Sequence, residues 1–114
     1  MFMNQKVVAR NALLSDTPTV LASGTTNART RISSATFCNT DTVARTISVW
    51  LVPAGDSAGP ANQIHQAYGL AAGETYTSPH LNHIINDGDQ IIAQADAAGV
   101  VSVYVSGIEM SKAG

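Results

Sequence analysis

Hydrophobic and polar residues alternate with a period of two along most of the chain, in short segments bounded by Gly, Pro, Asn, Asp and Ser. Because successive side chains of a strand point to opposite faces, this alternation predicts strands with one buried face. Turn residues recur at intervals of roughly 8–12 residues, which is typical of an all-β sandwich or barrel. We predict about eight strands, drawn from segments 6–14, 19–22, 29–38, 44–53, 62–70, 75–79, 81–85, 91–96 and 100–110.

Segment 44–53 has the strongest strand pattern. Its aliphatic residues Ile47, Val49 and Leu51 share one face, which we assign to the core. Trp50 falls on the opposite face. A tryptophan side chain buries a large area and is favoured where one protein contacts another. Trp50 is therefore either an interface residue or lies beneath a loop of its own subunit.

Two further strand regions carry specific predictions about faces and pairing. Segments 91–96 and 100–110 are expected to form a hairpin around residues 97–99, with Val101, Val103 and Val105 on one face. Segment 29–38 is expected to divide its side chains strictly between two faces. One face holds Arg31, Ser33, Ala35 and Phe37, and the other holds Ile32, Ser34, Thr36 and Cys38.

These elements predict an all-β fold, an antiparallel two-sheet sandwich of jelly-roll or Greek-key type with little room for helix. With 114 residues, the chain is expected to form a single domain over 1–114. Segment 39–42 (Asn-Thr-Asp-Thr) is expected to be a turn whose side chains bond the local backbone. Residues 1–5 are expected either to reach a neighbouring subunit as an arm or to fray.

The composition favours assembly with other proteins. Only 12% of the residues are charged, about half of the usual share, so strand faces can pack against neighbouring subunits without desolvating ions. The net charge of −2 argues against nucleic-acid binding, and no apolar stretch is long enough for a membrane helix. Arg29 and Arg31 form a close basic pair that fits an acidic partner or a solvated strand face. The single cysteine, Cys38, is expected to be a buried thiol.

No residue pattern points to catalysis or to a bound cofactor. His80 and His83 have a spacing that suits two metal ligands on a helix, but in a strand it places them on opposite faces. With His65 they would complete a three-histidine metal site, and hydrogen-bonded surface or interface histidines are the alternative that we prefer. Asp87 and Asp89 fit turn chemistry better than calcium binding. We predict that the protein is not an enzyme and holds no cofactor or metal.

Five segments between residues 35 and 110 carry strand and turn signatures without catalytic residues. They are Phe-Cys-Asn-Thr (37–40), Arg-Thr-Ile-Ser-Val-Trp-Leu-Val-Pro (45–53), Leu-Ala-Ala-Gly-Glu-Thr-Tyr (70–76), Asp-Gly-Asp-Gln-Ile-Ile-Ala-Gln-Ala (87–95) and Val-Tyr-Val-Ser-Gly-Ile-Glu (103–109). In this order they resemble small virion proteins of tailed bacteriophages. The resemblance implies a structural role, either as a head decoration (cement) protein or as a small component of the tail and its fibres.

Our first expectation is a capsid decoration protein, made in the host cytoplasm, that binds and stabilises the assembled head shell on the surface of the virion. The resemblance implies that its partners are the major capsid protein and copies of itself in a homotrimer, because decoration proteins commonly form trimers at local threefold positions; closed symmetry is the general expectation for such oligomers. It would use neither nucleic acid nor a membrane. The candidate interface residues are Trp50, Tyr68, Tyr76 and Tyr104, with Arg29 and Arg31 as rim charges.

Two alternatives stay open at this point. In the first alternative, the chain is a small tail, collar, fibre or baseplate component that contacts tail proteins and has a receptor- or glycan-binding face. Exposed aromatic residues would then cluster at one loop end. The other alternative is a free-standing sandwich enzyme or binding module, which would have a concave pocket that joins His65, His80 and His83.

Overall fold

A computed structural model describes the backbone of residues 3–112 and the side chains of residues 11–110. Each predicted segment overlaps a strand, with ends that differ by up to three residues or, at β7, a strand shorter than the segment. The strands are β1 (Met3–Leu13), β2 (Thr19–Ser23), β3 (Ala28–Asn39), β4 (Arg45–Val52), β5 (Gln63–Leu70), β6 (Thr75–Thr77), β7 (Ile84–Ile85), β8 (Gln90–Ala95) and β9 (Val101–Lys112). A single 3-10 turn spans Pro60–Asn62. Within residues 3–112, no helix has the length and hydropathy to cross a membrane.

The strands form two antiparallel sheets that pack against each other. Sheet one has the order β1-β9-β3-β6, with the short β7 also paired to β3, and sheet two has the order β2-β8-β4-β5. Without β7, this order is that of an eight-stranded jelly roll, which consists of two Greek keys. The predicted antiparallel two-sheet sandwich is confirmed.

The predicted hairpin between segments 91–96 and 100–110 is wrong. β8 lies in sheet two, whereas β9 lies in sheet one between β1 and β3. The connection crosses from one sheet to the other because its backbone bonds elsewhere: Gly99 N donates to Leu14 O, and Leu14 N donates to Val101 O. The predicted shared face of β9 is nevertheless present, since Val101, Val103 and Val105 are all buried.

The core between the sheets is almost entirely aliphatic, with Phe37 as its largest side chain. Ile47 and Val49 are wholly buried, and Leu51 packs against the core while partly exposed. The predicted core face of β4 is therefore confirmed. The buried cluster consists of Leu14, Leu21, Ile32, Ala35, Phe37, Ile47, Val49, Leu70, Leu81, Ile85, Ile91, Ala93, Ala95, Val101, Val103 and Val105.

A β-bulge in β3 changes which face its residues occupy. The pairing of β3 with β9 shifts register between Ile32 and Ser34, so one additional residue is inserted into β3 at this point. As a result Ile32 is buried together with Ala35 and Phe37, although strict alternation put Ile32 on the opposite face. The alternation of faces therefore reverses at the bulge. The predicted faces of segment 29–38 are correct relative to one another before the bulge and after it, but not across it.

Gly107 of β9 lies opposite Ile32, at the start of this bulge. A Cβ atom built on Gly107 would overlap the carbonyl oxygen of Arg31 and lie 3.0 Å from the Cα of Ile32. Because both neighbours are backbone atoms, they cannot move aside as a flexible side chain would. The bulge therefore requires glycine at position 107.

Sheet one is much longer than sheet two. β1, β3 and β9 each have 11 or 12 residues, whereas the strands of sheet two have at most eight. The molecule is accordingly elongated, with principal extents of 52 × 25 × 21 Å. Residues 3–5 of the predicted arm belong to β1, where Met3 pairs with Lys112 and Gln5 with Met110. Residues 1 and 2 lie outside the described part of the chain.

Asn39 closes one end of the sandwich with a buried polar network. Its Nδ2 donates to the carbonyl oxygens of Val43, Leu70 and Ala71 at 2.9–3.2 Å, and its Oδ1 accepts from Asp41 N at 3.0 Å. This side chain satisfies backbone groups of two connections that cross between the sheets. The bond to Asp41 N confirms the predicted turn at 39–42.

Candidate functional site: an uncharged sheet face and an aromatic edge

The outward surface of sheet one, called here the outer face, is built from four rows of side chains across neighbouring strands. Residues paired in an antiparallel ladder share a face, so the register assigns the members of each row. The rows are Leu13-Ser102-Cys38-Thr75, Asn11-Tyr104-Thr36-Thr77, Ser106-Ser34 and Ile108-Arg31-Ile84.

Large apolar side chains are concentrated on this outer face. Six large hydrophobic residues are exposed among the described side chains, and four of them lie on it: Leu13 (61% exposed), Ile84 (58%), Tyr104 (50%) and Ile108 (41%). The other two are Val43, in the β3–β4 connection, and Tyr68 on β5. One surface of the molecule is thus distinctly more apolar than the rest.

The polar groups of the outer face are hydroxyls that bond one another. Ser34 Oγ lies 2.9 Å from Ser106 Oγ, and Thr36 Oγ1 lies 3.0 Å from Thr77 Oγ1. Hydroxyls that already have partners lose little when a protein surface covers them. In the rows given above the one charged residue is Arg31, and Arg29 lies two positions further along β3. The two predicted rim charges are therefore found towards one end of β3, with Arg31 between Ile108 and Ile84, and the other described residues of these rows are uncharged.

Cys38 also belongs to the outer face and is half-buried there. It lines a shallow depression of about 400 Å³ together with Leu13 and Tyr104. The expectation of a buried thiol is wrong, because Phe37 and Asn39 are the residues of this strand end that point inward.

Trp50 lies on the outward surface of sheet two, as its position opposite Ile47 and Val49 predicted. It pairs with Ile92 on one side and Gln63 on the other. Its side chain is half-buried and lines a depression of about 350 Å³. No loop of the described chain encloses it completely.

A third surface lies at the edge of the sandwich where β5 and β6 meet, and we call it the aromatic edge. It consists of His65 and Tyr68 on β5, Tyr76 on β6, and Ser78 and His80 directly after β6. The rings of Tyr68 and Tyr76 are stacked, with centroids 4.3 Å apart and planes 23° apart. His65 lies 5.4 Å from Tyr68, 5.7 Å from Tyr76 and 5.7 Å from His80 between ring centroids.

A bulge in β5 brings His65 and Tyr68 together. Residues three apart in a regular strand point to opposite faces. Here Val49 pairs with His65 and Ile47 pairs with Tyr68, so two residues of β5 oppose the single Ser48. Ala67 takes a left-handed conformation (φ 49°) in the bulge, and its N–H donates to Ser48 Oγ at 3.1 Å. The additional residue turns Tyr68 to the same side as His65.

A hydrogen bond to Ser78 holds the ring of His65 in place. His65 is buried, and its Nε2 lies 2.7 Å from Oγ of the buried Ser78. Ser78 Oγ also accepts from His80 N at 3.2 Å. Burial, and secondly the neighbouring His80, lowers the pKa of His65 below its ordinary value. Burial also raises the pKa of Tyr76, and the adjacent Tyr68 adds to this effect.

The three histidines do not form a common site. His80 and His83 line an open surface cleft with Gln63, whereas His65 is buried, does not line the cleft, and has its Nε2 within hydrogen-bond distance of Ser78 Oγ. Among the described side chains, no group of three or more His, Cys, Asp or Glu residues is arranged to hold a metal ion. Asp89 stabilises a turn, because its carboxylate accepts hydrogen bonds from Asn86 N at 2.9 Å and from Ala54 N at 3.0 Å.

The predicted interface residues are therefore distributed over three surfaces. Tyr104, Arg29 and Arg31 share the outer face of sheet one, Trp50 lies on sheet two, and Tyr68 and Tyr76 form the aromatic edge. Sequence reasoning missed Leu13, Ile84 and Ile108. A signal was present for the first two, because Leu13-Leu14 and Ile84-Ile85 are adjacent apolar pairs, and one member of such a pair in a strand must face outward.

Comparison with known proteins gives a match at the level of fold. No protein-family model matches the chain, and no curated protein matches it. A solved structure from Bacillus, described as "Bacillus endospore appendages form a novel family of disulfide-linked pili", superposes with a TM-score of 0.58 at 12% sequence identity. The match covers 97% of this chain and 89% of that chain. The two proteins share a β-sandwich fold over nearly their whole lengths.

Proposed function

We propose that this protein is a structural, non-enzymatic subunit that docks on other protein subunits through the outer face of sheet one. The observation that carries the proposal is the concentration of Leu13, Tyr104, Ile108 and Ile84 on one surface whose rows contain a single charged residue, Arg31. Monomeric proteins rarely leave such apolar patches exposed unless the patch is an interaction site. The structural match to a pilus protein supports a role in assembly.

The specific role that we propose is decoration of a bacteriophage head. The protein binds the assembled shell on the surface of the virion, contacts the major capsid protein, and acts as a homotrimer. The resemblance of residues 35–110 to small virion proteins supports this assignment, as does the uncharged composition. Binding to the completed shell but not to free capsid subunits would stabilise the shell by mass action.

The size of the outer face favours binding in many copies. Four strands about 4.8 Å apart and six residues of about 3.4 Å each along β9 give a footprint of roughly 400 Å². A stable protein–protein interface needs about 800 Å² on each partner. One copy alone would therefore bind weakly, whereas a trimer on a repeating lattice would bind with strong avidity.

The direct test adds the purified protein to undecorated heads and measures how many copies bind and how much heat the heads withstand. The variant Tyr104→Lys places a charge in the centre of the outer face and should abolish binding. Gln66→Lys adds the same charge at an exposed position of β5 and should bind normally. No gain in heat resistance with the unmodified protein would refute the stabilising role, and equal binding by both variants would refute docking through this face.

A second candidate is a repeating component of a tail, collar, fibre or baseplate. The solved structure that shares the fold belongs to a filamentous appendage, and this observation favours the alternative. A copy count per particle separates the two roles, since hundreds of copies fit the head and tens of copies fit the tail. Filaments formed by the purified protein alone in electron micrographs would favour the appendage.

A further inference from the structure

An open cleft lies above the aromatic edge, at the beginning of β5. It has a volume of about 430 Å³ and is lined by Gln63, Ile64, Pro79, His80, Asn82 and His83. The lining residues come from β5 and from the connection between β6 and β7. The cleft is on the edge of the sandwich, and although His83 directly precedes Ile84, none of the lining residues belongs to the rows of the outer face that we propose for docking.

The chemistry of this lining selects a neutral ligand with many hydrogen-bonding groups. None of the six lining residues is Asp, Glu, Lys or Arg, so the cleft offers no permanently charged side chain to an ionic ligand. Two amides and two imidazoles offer donors and acceptors, and a purely apolar ligand would leave these groups without partners. Ile64 and Pro79 supply apolar contact area beside them. A sugar ring, with hydroxyls at its rim and C–H groups on its faces, fits both requirements.

The base of the cleft is held in place by hydrogen bonds. Gln63 Nε2 donates to His65 O at 3.1 Å, which fixes one wall. His80 N donates to Ser78 Oγ at 3.2 Å, and Ser78 Oγ in turn contacts His65 Nε2, which fixes the other wall. A cleft that needs little rearrangement loses little conformational entropy when a ligand binds.

The aromatic edge adjoins the cleft, because His80 belongs to both. The His80 ring lies 5.7 Å from the His65 ring, which contacts the exposed Tyr68 at 5.4 Å. Tyr68 is held by stacking on Tyr76, so its ring is a fixed platform rather than a freely rotating side chain. Rings of this kind pack against the C–H faces of sugars through apolar contact, with their polar tips left in water.

From these features we infer that the cleft is a saccharide-binding site for neutral glycans, with Asn82 and His83 as hydrogen-bonding groups and Tyr68, outside the lining, as an adjoining ring surface. The site is independent of the proposed docking face, so a protein that decorates a head would display it to the surroundings. A neutral peptide is the competing ligand, because its backbone amides also bond with amide and imidazole groups.

Binding is tested by NMR on the whole isotope-labelled protein with neutral malto-, chito- and galacto-oligosaccharides, and with a neutral Gly-Ser peptide as comparison. We expect one saccharide series to shift the amide signals of residues 63–65 and 79–83 in a saturable manner. Asn82→Ala and His83→Ala should each weaken this binding by about fivefold or more. Asn11→Ala, at an exposed position on the outer face, should leave it unchanged.

Three results would overturn the inference. They are the absence of saturable shifts with every saccharide up to about 10 mM, stronger binding of the peptide, and binding that neither Asn82→Ala nor His83→Ala weakens. Each of these variants is also tested on undecorated heads. Since both positions lie outside the outer face, head binding should persist, so failure of the glycan site and failure of the docking proposal are distinguishable.

Discussion

The ring of Tyr68 stacks on the ring of Tyr76 at a centroid distance of 4.3 Å, and this contact joins β5 of sheet two to β6 of sheet one. Both strands are the last of their sheets on this side of the sandwich. Below the stack, His65 of β5 bonds Ser78, which directly follows β6. The aromatic edge therefore provides contacts between the two sheets at the side where the main hydrophobic core ends.

Loss of this stacking should destabilise the sandwich. Tyr76→Ala removes a half-buried ring together with its contacts to Tyr68 and His65, and should lower the free energy of unfolding by about 2 kcal/mol. Tyr104→Ala removes an exposed ring of the same size from the outer face, so its effect should stay within about 0.5 kcal/mol. Urea denaturation of the purified variants measures both values. A similar loss in the two variants would contradict a role of the aromatic edge in joining the sheets.

Stability should fall in mild acid because of His65. The folded protein lowers the pKa of His65 through burial and through His80, so the neutral imidazole is favoured in the folded state. This contribution is complete above the unfolded pKa of about 6.5 and decreases as the pH falls below that value. The melting temperature should therefore be lower at pH 5.0 than at pH 7.5.

His65→Gln keeps a hydrogen-bonding group near Ser78 but does not titrate in this range. The variant should lose part of the stability at pH 7.5 and should show a smaller decrease between pH 7.5 and pH 5.0. The carboxyl of Asp41 does not disturb this comparison: Arg45 and the N–H of Thr42 hold its pKa below 3.8, so its contribution is lost only in stronger acid. An unchanged pH dependence in His65→Gln would exclude His65 as its source.

Gly107 should not tolerate even alanine. The added Cβ would overlap backbone atoms of Arg31, so β9 or β3 must shift, and we expect a loss of about 2–4 kcal/mol. Gly69→Ala is the matched control, because its Cβ would have no atom within 4 Å. That change should be neutral or stabilise the protein by about 0.5 kcal/mol, since alanine restricts the unfolded chain. Thermal unfolding of both variants provides the comparison.

Asn39 should be the most sensitive polar residue at its end of the sandwich. Asn39→Ala leaves Asp41 N and the carbonyls of Val43, Leu70 and Ala71 without their side-chain partner, and should reduce stability by about 2–4 kcal/mol. Asn11→Ala, at an exposed site, should have almost no effect. Hydrogen exchange would show faster opening of the 40–44 connection in the first variant. Equal protection of this connection in both variants would refute the role assigned to Asn39.

The period-two pattern was sufficient to predict the strands, because each buries one face and is bounded by turn residues. It was not sufficient to predict which sheet each strand joins. Segments 91–96 and 100–110 have the sequence of a hairpin, yet long-range bonds from Leu14 separate them into two sheets. The error in the predicted faces of segment 29–38 comes from the bulge in β3 beside Gly107, and a bulge in β5 at Ala67 likewise changes side-chain direction. In each case a single inserted residue reverses the alternation.

The candidate surfaces were predictable only in part. The outward position of Trp50 follows from the aliphatic residues that flank it, and Tyr104 follows from the alternating valines of β9. The contact between Tyr68 and Tyr76 does not follow from the sequence, since it needs two strands of different sheets and a bulge with a left-handed alanine. The sequence analysis made no prediction for Leu13 and Ile84, because apolar side chains in strands are usually buried and do not stand out as surface residues.

β1 has its sheet partner, β9, about 90 residues further along the chain: Leu13 lies opposite Ser102. During synthesis β1 therefore leaves the ribosome long before the strand that hydrogen-bonds to it, and β3 waits for the same partner. Sheet one is completed only when β9 inserts between β1 and β3, whose facing edges have no hydrogen-bond partner until then. Such late closure makes folding slow and leaves nascent chains prone to wrong pairing with one another. A cell that makes this protein in large amounts would have to keep those unfinished chains apart until synthesis is complete.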